Sequence, residues 1–190
     1  MNGKRDEEFE QQLARRLVAG EPEAVEDLVH RYADDVYRFV FNRVGGSAQD
    51  AEDVVQETFI AALDAIDNFK GDSKLRTWLF SIASHKAIDQ QRWFARRPEV
   101  DLQDKTFFLS ADDPLPSQAL ARFEVRQAVR RTLLQLPSHY RTALVLKYVE
   151  EMTVAEMTKV MKRSEKSIES ILVRARRLLA RMFEGRYGEE

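Results

Sequence analysis

The chain has 190 residues, of which 44% are hydrophobic and 33% are charged, which suits one or two small domains with modest cores. Seven glycines and five prolines favour helices over a strand-rich fold, and the absence of cysteine excludes structural disulfides and thiolate metal sites. No apolar run approaches a membrane span and the polar start is unlike a signal peptide, so we expect a cytoplasmic protein without membrane insertion.

Charge is distributed unevenly, although the net charge is only −2. Residues 23–67 contain eleven acidic and three basic side chains, whereas residues 69–97 and residues 162–183 each contain seven basic and two acidic ones. A single charged run is most often a solvated helix face. Two basic segments with acidic stretches between them indicate two DNA contacts and a separate surface for a basic protein partner.

The first two predicted helices follow from apolar periodicity. Helix one covers Asp6–Ala19 and ends near Gly20, and helix two begins near Pro22 and is broken at Gly45. The apolar positions of helix two include Val25, Leu28, Val29, Tyr32, Val36, Phe39 and Val40.

Two further helices complete the first half of the chain. Ser47 is a start signal for helix three, in which an apolar stripe extends to Ile66 while the acidic side chains lie mainly away from it. Residues 70–74 are predicted to form a loop, and helix four runs from about Leu75 to Ala95. In helix four we expect Trp78 to be core, and Trp93 and Phe94 to be partly exposed.

An acidic stretch rich in proline follows helix four. Residues 96–117 contain three prolines and five acidic residues, a composition typical of a linker. The sequence therefore predicts an all-α fold of two small helical domains joined by a flexible acidic linker. The expected boundaries are 1–96 for the first domain, 97–117 for the linker and 118–190 for the second domain.

Four short helices are predicted in the second domain. The first covers Gln118–Leu136, and the second is opened by Pro137 and runs to about Val149. Thr153 and Glu156 form a capping box for a third helix that ends near Met161. Ser164 is an N-cap for the last helix, whose apolar stripe leaves several arginines available to solvent or phosphate.

The last two helices have the layout of a helix-turn-helix. Such a motif places polar side chains of its second helix against base edges in the major groove. Many helix pairs share this spacing without touching DNA, so the spacing alone does not distinguish a DNA-binding motif from an ordinary helix pair. The arginine-rich continuation after residue 173 favours DNA binding, because phosphate contacts need repeated positive charge.

A second candidate surface lies in residues 69–97, which combine basic side chains with Trp78, Phe80, Trp93 and Phe94. Basic grooves with aromatic side chains bind single-stranded DNA. An enzyme is not expected, because the three histidines are scattered and no phosphate-binding glycine loop or nucleophile elbow occurs. We expect no metal or cofactor.

Two pairs of segments carry a family resemblance. DAEDVVQETFIAAL (50–63) and FKGDSKLRTWLFSIASHKAID (69–89) resemble region two of the extracytoplasmic-function (ECF) sigma factors of the sigma-70 family. LPSHYRTALVLKYVEEMTVAEM (136–157) and SEKSIESILVRARRLL (164–179) are similar to region four of the same factors. The resemblance covers nearly the whole chain. It implies a dissociable subunit of bacterial RNA polymerase that recognises and melts promoter DNA.

The resemblance implies a role for each surface. Docking on core RNA polymerase is assigned to the acidic helix, through Asp50, Glu52, Asp53, Gln56 and Glu57. Capture of the melted minus-ten element is assigned to Phe69, Lys70, Lys74, Arg76, His85, Lys86, Asp89, Arg92, Arg96 and Arg97. Recognition of the minus-thirty-five element is assigned to Arg163, Ser164, Lys166, Ser167, Glu169, Ser170, Arg174, Arg176 and Arg177.

The sequence departs from the family pattern at several positions. His85 stands where asparagine is common, Lys162 occupies a turn position often held by glycine, and Glu169 and Ile171 replace frequent basic residues. We expect Ile171 to join the core and Glu169 to face outward. The expected partners are core RNA polymerase, promoter DNA and an anti-sigma factor. The alternatives are a sigma-like decoy that sequesters an anti-sigma protein, and an ordinary helix-turn-helix regulator.

Overall fold

A computed structural model describes residues 2–44, 47–95, 128–129 and 131–187. The described residues form helices and no strand, which confirms the all-α fold. The helices are α1 (Asn2–Val18), α2 (Pro22–Arg43), α3 (Ala48–Asp64), a 3-10 turn (Ile66–Asn68), α4 (Leu75–Ala95), α5 (Ser138–Tyr148), α6 (Val154–Met161) and α7 (Glu165–Tyr187). None of the helices within the described ranges is long and apolar enough to cross a membrane.

Helices α2, α3 and α4 pack against one another, and α1 lies against α2, α4 and the 3-10 turn. Fully buried side chains of α2 and α4 form the centre of this bundle, with the rings of Phe39 and Phe80 4.8 Å apart. The first turns follow local signals. Pro22 opens α2, and the Asp50 backbone N–H donates to the Ser47 Oγ at the start of α3.

The bounds of the first helices differ from the sequence expectations in two respects. Helix α1 begins at Asn2, four residues before the predicted start. Among the apolar positions of α2, Val29 is exposed, because the buried face of the helix runs through Leu28, Tyr32, Val36 and Phe39. Helix α3 ends at Asp64, and Ile66 is buried from the 3-10 turn that follows.

The C-terminal helices follow the expected order. Residues 131–135 are helical, and the remainder of the predicted helix 118–136 lies largely outside the described residues. Helix α5 packs on α7, and α6 contacts both. One face of α7 is buried in this core through Ile168, Ile171 and Leu172. The expectation that Ile171 is core is therefore confirmed.

The two halves of the chain pack against each other in this structure. Helix α6 lies on α4 and helix α5 lies on α2. One apolar cluster runs through both halves and includes Phe80 of α4 and Met157 of α6. The predicted linker 97–117 lies outside the described residues, as do the side chains of Trp93 and Phe94. Trp78 is half-buried against the core.

Candidate nucleic-acid interface

The loop between the 3-10 turn and α4 forms one side of an open cleft. The ring of Phe69 lies 5.3 Å from the ring of Trp78, which fixes the start of the loop on α4. Gly71 has a φ of 73°, a left-handed conformation that favours glycine. The cleft has a volume of about 220 Å³ and is lined by Glu10, Gln11, Phe69, Gly71, Asp72, Ser73, Lys74 and Leu75.

Helix α1 forms the opposite wall of this cleft. The backbone N–H of Leu75 donates to Glu10 Oε2 at 2.7 Å, and the Tyr32 hydroxyl donates to Glu10 Oε1 at 2.9 Å. The sequence expectations did not include Glu10. A signal was present, because Glu10 stands three and seven residues before Leu13 and Leu17 and so continues the buried face of α1.

The outer face of α4 carries three of the predicted minus-ten residues. His85, Asp89 and Arg92 are exposed and share one side of the helix. Arg92 pairs with Asp89 at 3.5 Å, and Lys86 pairs with Glu57 of α3 at 3.4 Å. Arg96 and Arg97 lie outside the described residues. This face is therefore polar, with both signs of charge.

Arg76 is directed toward the C-terminal half of the chain. Its Nε donates to Asp35 Oδ2 at 3.1 Å, its Nη1 donates to the Glu150 carbonyl at 3.1 Å, and its Nη2 pairs with the Glu150 carboxylate. Burial raises the pKa of Glu150, and the Arg76 charge opposes that shift. In this arrangement Arg76 contributes to the contact between the two halves.

Helix α6 lies over the cleft loop. The Nζ of Lys74 is 3.0 Å from the Glu156 carboxylate, and the Nζ of Lys159 donates to the Asp72 carbonyl. Burial raises the pKa of Glu156, but hydrogen bonds from Thr153 and Lys74 outweigh it, so the net shift is downward. Two polar contacts therefore join the first helix of the helix-turn-helix to the predicted minus-ten loop.

Two arginines are buried where α2 meets α5. Arg43 Nη1 donates to Thr142 Oγ1 at 2.6 Å, and Arg141 Nη2 donates to the Arg43 carbonyl at 3.0 Å. Burial and the neighbouring Arg141 lower the pKa of Arg43 to about 10. Among the described residues, both Nε atoms are buried without a hydrogen-bond partner. The sequence expectations missed this pair, which local periodicity does not reveal.

The predicted polymerase surface lies on the outer side of α3. Glu52, Asp53, Gln56 and Glu57 are exposed, and Asp50 is half-buried at the first turn. The buried residues of α3 are Ala51, Val54, Thr58, Phe59 and Ala62. Because the two sets occupy opposite faces, the acidic side chains form a continuous surface without taking part in the core.

Helices α6 and α7 and the turn between them form the helix-turn-helix. Thr153 and Glu156 make the predicted capping box, with the Thr153 N–H donating to Glu156 Oε2 at 2.8 Å. Lys162 ends α6 in a left-handed conformation with φ 51°. The Ser167 N–H lies 3.4 Å from Ser164 Oγ at the start of α7.

Helix α7 and the turn before it present polar side chains away from the core. Ser167 is half-buried, and Arg176 lies 3.4 Å from the Tyr148 hydroxyl. The other predicted minus-thirty-five residues are exposed, namely Arg163, Ser164, Lys166, Glu169, Ser170, Arg174, Arg176 and Arg177. The outward position expected for Glu169 is therefore confirmed.

Comparison with known proteins identifies both halves. Residues 28–97 match the family model described as sigma-70 region 2, and residues 126–179 match the one described as sigma-70, region 4. The first match covers the acidic helix and the cleft loop, and the second covers the helix-turn-helix. An ordinary helix-turn-helix regulator would leave the first match unexplained.

Curated relatives match along most of their length. The chain is 35% identical to the RNA polymerase sigma-H factor of Pseudomonas aeruginosa, over 90% of this chain and 91% of the relative. It is 32% identical to the ECF RNA polymerase sigma factor SigW of Bacillus subtilis, over 77% of this chain and 82% of the relative.

Solved structures share the arrangement of helices. CnrH, in complex with the cytosolic domain of CnrY, is 28% identical with a TM-score of 0.69, covering 93% of this chain and 97% of CnrH. The sigma factor RpoE of Bartonella quintana, in complex with the anti-sigma factor NepR, has a TM-score of 0.66, covering 84% of this chain and 96% of RpoE; its 20% identity supports the fold alone. With the ordered region matches and the curated relatives, these similarities show that the chain belongs to the ECF sigma factors of the sigma-70 family and is an RNA polymerase sigma factor.

Proposed function

We propose that this sigma factor captures the melted minus-ten element of its promoters with the cleft loop and the outer face of α4. The observation that carries the proposal is the cleft itself, with Lys70 and Lys74 on the loop. Its volume of about 220 Å³ is below the ~300–1,000 Å³ of sites for drug-sized ligands and suits one unstacked base. Positive charge beside aromatic rings favours a single strand.

The minus-ten assignment can be tested by replacing residues 70–74 with a glycine–serine segment of equal length. The expected result is normal binding to core polymerase with loss of the melted bubble in permanganate footprinting. The matched control is Lys166→Ala on α7, which should keep the bubble on a promoter with a strong minus-ten element. A normal bubble in the loop replacement would place the strand-capturing pocket elsewhere.

The acidic face of α3 is proposed to dock on core RNA polymerase. Glu52 and Asp53 are exposed beside Gln56 and Glu57, and charge complementarity favours a basic partner surface. Double reversal to lysine at Glu52 and Asp53 should weaken core binding while the fold is kept, because exposed charge changes cost little stability. Reversal at exposed Glu23 and Glu26 of α2 is the control. Equal core affinities for the two double variants would contradict the assignment.

Helix α7 is proposed to read the minus-thirty-five element, with residues 118–190 as its domain and residues 1–96 as the minus-ten domain. The two promoter elements are about 25 base pairs apart, or roughly 85 Å at 3.4 Å per pair. In this structure Lys159 of α6 contacts Asp72 of the cleft loop. The two halves therefore have to separate before both elements can be bound, with residues 97–117 as the connection.

The remaining assignments follow from membership in the family. We propose a cytoplasmic initiation factor that catalyses no reaction of its own, because the chemistry of initiation belongs to the polymerase. A protein partner of the anti-sigma kind is proposed from the similarity to CnrH, which was solved with the cytosolic domain of CnrY. Transcription in vitro with core polymerase and a randomised promoter library tests the whole proposal. A sigma-like decoy would give no promoter-dependent transcripts.

A further inference from the structure

Glu10 connects three helices at the back of the cleft. One oxygen of its carboxylate accepts a hydrogen bond from the Tyr32 hydroxyl of α2, and the other accepts one from the Leu75 backbone N–H of α4. The Tyr32 side chain is 1% exposed and Leu75 is fully buried. The two carboxylate oxygens of Glu10 therefore connect α1 to buried residues of α2 and α4.

The hydrogen bond to Leu75 is at the first residue of α4. The first N–H groups of a helix have no partner within the helix, and a carboxylate there gains from both the hydrogen bond and the helix dipole. In most helices the cap comes from a residue just before the first turn. Here it comes from a residue 65 positions earlier, so the point at which the loop becomes helix depends on α1.

Glu10 also lines the cleft, next to Gln11 and across from the loop residues Gly71, Asp72 and Ser73. Loss of the carboxylate would leave the first backbone N–H of α4 without this acceptor, at the point where the loop joins the helix. The loop would keep its anchor at the other end, because Phe69 packs on Trp78. The width of the cleft would then be the feature that changes.

We propose that Glu10 is a positioning residue for the minus-ten cleft: from α1 it fixes the loop 69–74 in the conformation that holds an unstacked base. This inference rests on the proposed minus-ten function and extends it to a helix that lies outside the matched region 28–97. Glu10 acts through Leu75 and the loop, and contact with the base itself is not required.

The variants Glu10→Ala, Glu10→Gln and Tyr32→Phe test the inference in holoenzyme assembled from core polymerase and the full chain. Glu8→Ala is the matched control, since Glu8 is an exposed acid on the same helix. The first measurement is the affinity of the holoenzyme for a fluorescent single-stranded minus-ten oligonucleotide of the non-template strand. The second is the affinity for core polymerase, and the third is the hydrogen-exchange rate of the Leu75 amide.

For Glu10→Ala we expect about tenfold weaker oligonucleotide binding, the size of one lost charge-assisted hydrogen bond. Core affinity should be unchanged and Leu75 exchange faster. Glu10→Gln keeps the shape and one acceptor, so its defect should be smaller, as should that of Tyr32→Phe. Glu8→Ala should behave as the parent chain.

Equal oligonucleotide affinity for Glu10→Ala and Glu8→Ala would overturn the inference, as would equal losses of oligonucleotide and core binding, which indicate general unfolding. If Glu10→Ala does not fold, parental affinity of Glu10→Gln with faster Leu75 exchange would overturn it. The 70–74 loop replacement distinguishes failure of the role of Glu10 from failure of the minus-ten assignment. If that replacement abolishes oligonucleotide binding while Glu10→Ala does not, only the role of Glu10 fails; if it has no effect, the minus-ten assignment fails.

Discussion

The Nζ of Lys74 lies 3.0 Å from the carboxylate of Glu156, so the cleft loop of the N-terminal half is paired with the first helix of the helix-turn-helix. Lys74 is about half exposed, and ion pairs of this kind contribute about 0–1 kcal/mol. The Glu150 side chain is only 1% exposed where it meets Arg76. The Arg76–Glu150 pair is therefore screened less by solvent than the Lys74–Glu156 pair.

We expect Glu150→Ala to weaken the contact between the two halves, because it removes a charge-assisted hydrogen bond of about 1.5–3 kcal/mol while Arg76 keeps Asp35 and the backbone carbonyl at position 150. Energy transfer between dyes on cysteines introduced at exposed Gln12 and Arg181 measures the separation, since the chain has no cysteine of its own. Transfer should fall more in Glu150→Ala than in Lys74→Ala. A larger effect of Lys74→Ala would reverse the ranking.

Glu169 is expected to contact a base of the minus-thirty-five element. It is exposed on the first turns of α7, where a carboxylate can accept a hydrogen bond from the amino group of cytosine. Glu169→Ala should reduce binding to the preferred element by roughly 1–3 kcal/mol and relax one base position. Titrations against single-base variants at several salt concentrations measure this. Glu165→Ala is the control, and uniformly tighter binding by Glu169→Ala would show that Glu169 only repels phosphates.

Lys162 ends α6 with a φ of 51°, a conformation that costs a residue with a side chain roughly 1–2 kcal/mol. Glycine adopts it freely, although it loses about 0.5–1 kcal/mol through the greater freedom of the unfolded chain. We expect Lys162→Gly to raise the free energy of unfolding by roughly 0.5–1 kcal/mol. Lys162→Ala should give no such gain. Equal stabilities for the two variants in urea would show that the left-handed conformation is not strained.

Replacement of Arg43 by methionine should stabilise the contact between α2 and α5. The side chain is 4% exposed beside Arg141, and replacing a buried charge with an apolar side chain of similar size is often neutral or favourable. We expect Arg43→Met to raise the free energy of unfolding by about 1 kcal/mol. Arg15→Met, at an exposed position, should change it by less than about 0.5 kcal/mol. Destabilisation of Arg43→Met would show that the bond to Thr142 outweighs the cost of burial.

His139 is expected to report on the packing of the helix-turn-helix. Partial burial and the nearby charge of Arg163 hold the pKa of His139 below its usual value of 6.5. A lowered histidine pKa means that the unfolded chain binds the proton more tightly, so this contribution to stability is full above pH 6.5 and is lost as the pH falls toward the folded pKa. Arg163→Ala should raise the pKa of His139 in an NMR titration, and Arg177→Ala should not. An unchanged pKa in Arg163→Ala would place Arg163 away from the ring.

Local signals predicted most helices and which face of its helix several side chains occupy. Start residues such as Ser47 and Thr153 cap the helices they were expected to open, and the alternation of faces placed Glu169 outside and Ile171 inside. These features depend on residues within one or two helical turns of each other, and local sequence patterns reveal such residues. The residue sets proposed for the polymerase, the minus-ten strand and the minus-thirty-five element came from the resemblance to ECF sigma factors.

Only the tertiary structure decided how distant residues meet. Glu10 caps α4 from 65 positions away, and Arg76 finds Glu150 at a separation of 74. Val29 is one of the apolar positions of α2 and yet is exposed, because periodicity gives the width of an apolar stripe and the neighbouring helices decide which part of it is covered. Contacts of this kind depend on how whole helices pack, and no local pattern in the chain specifies the partner.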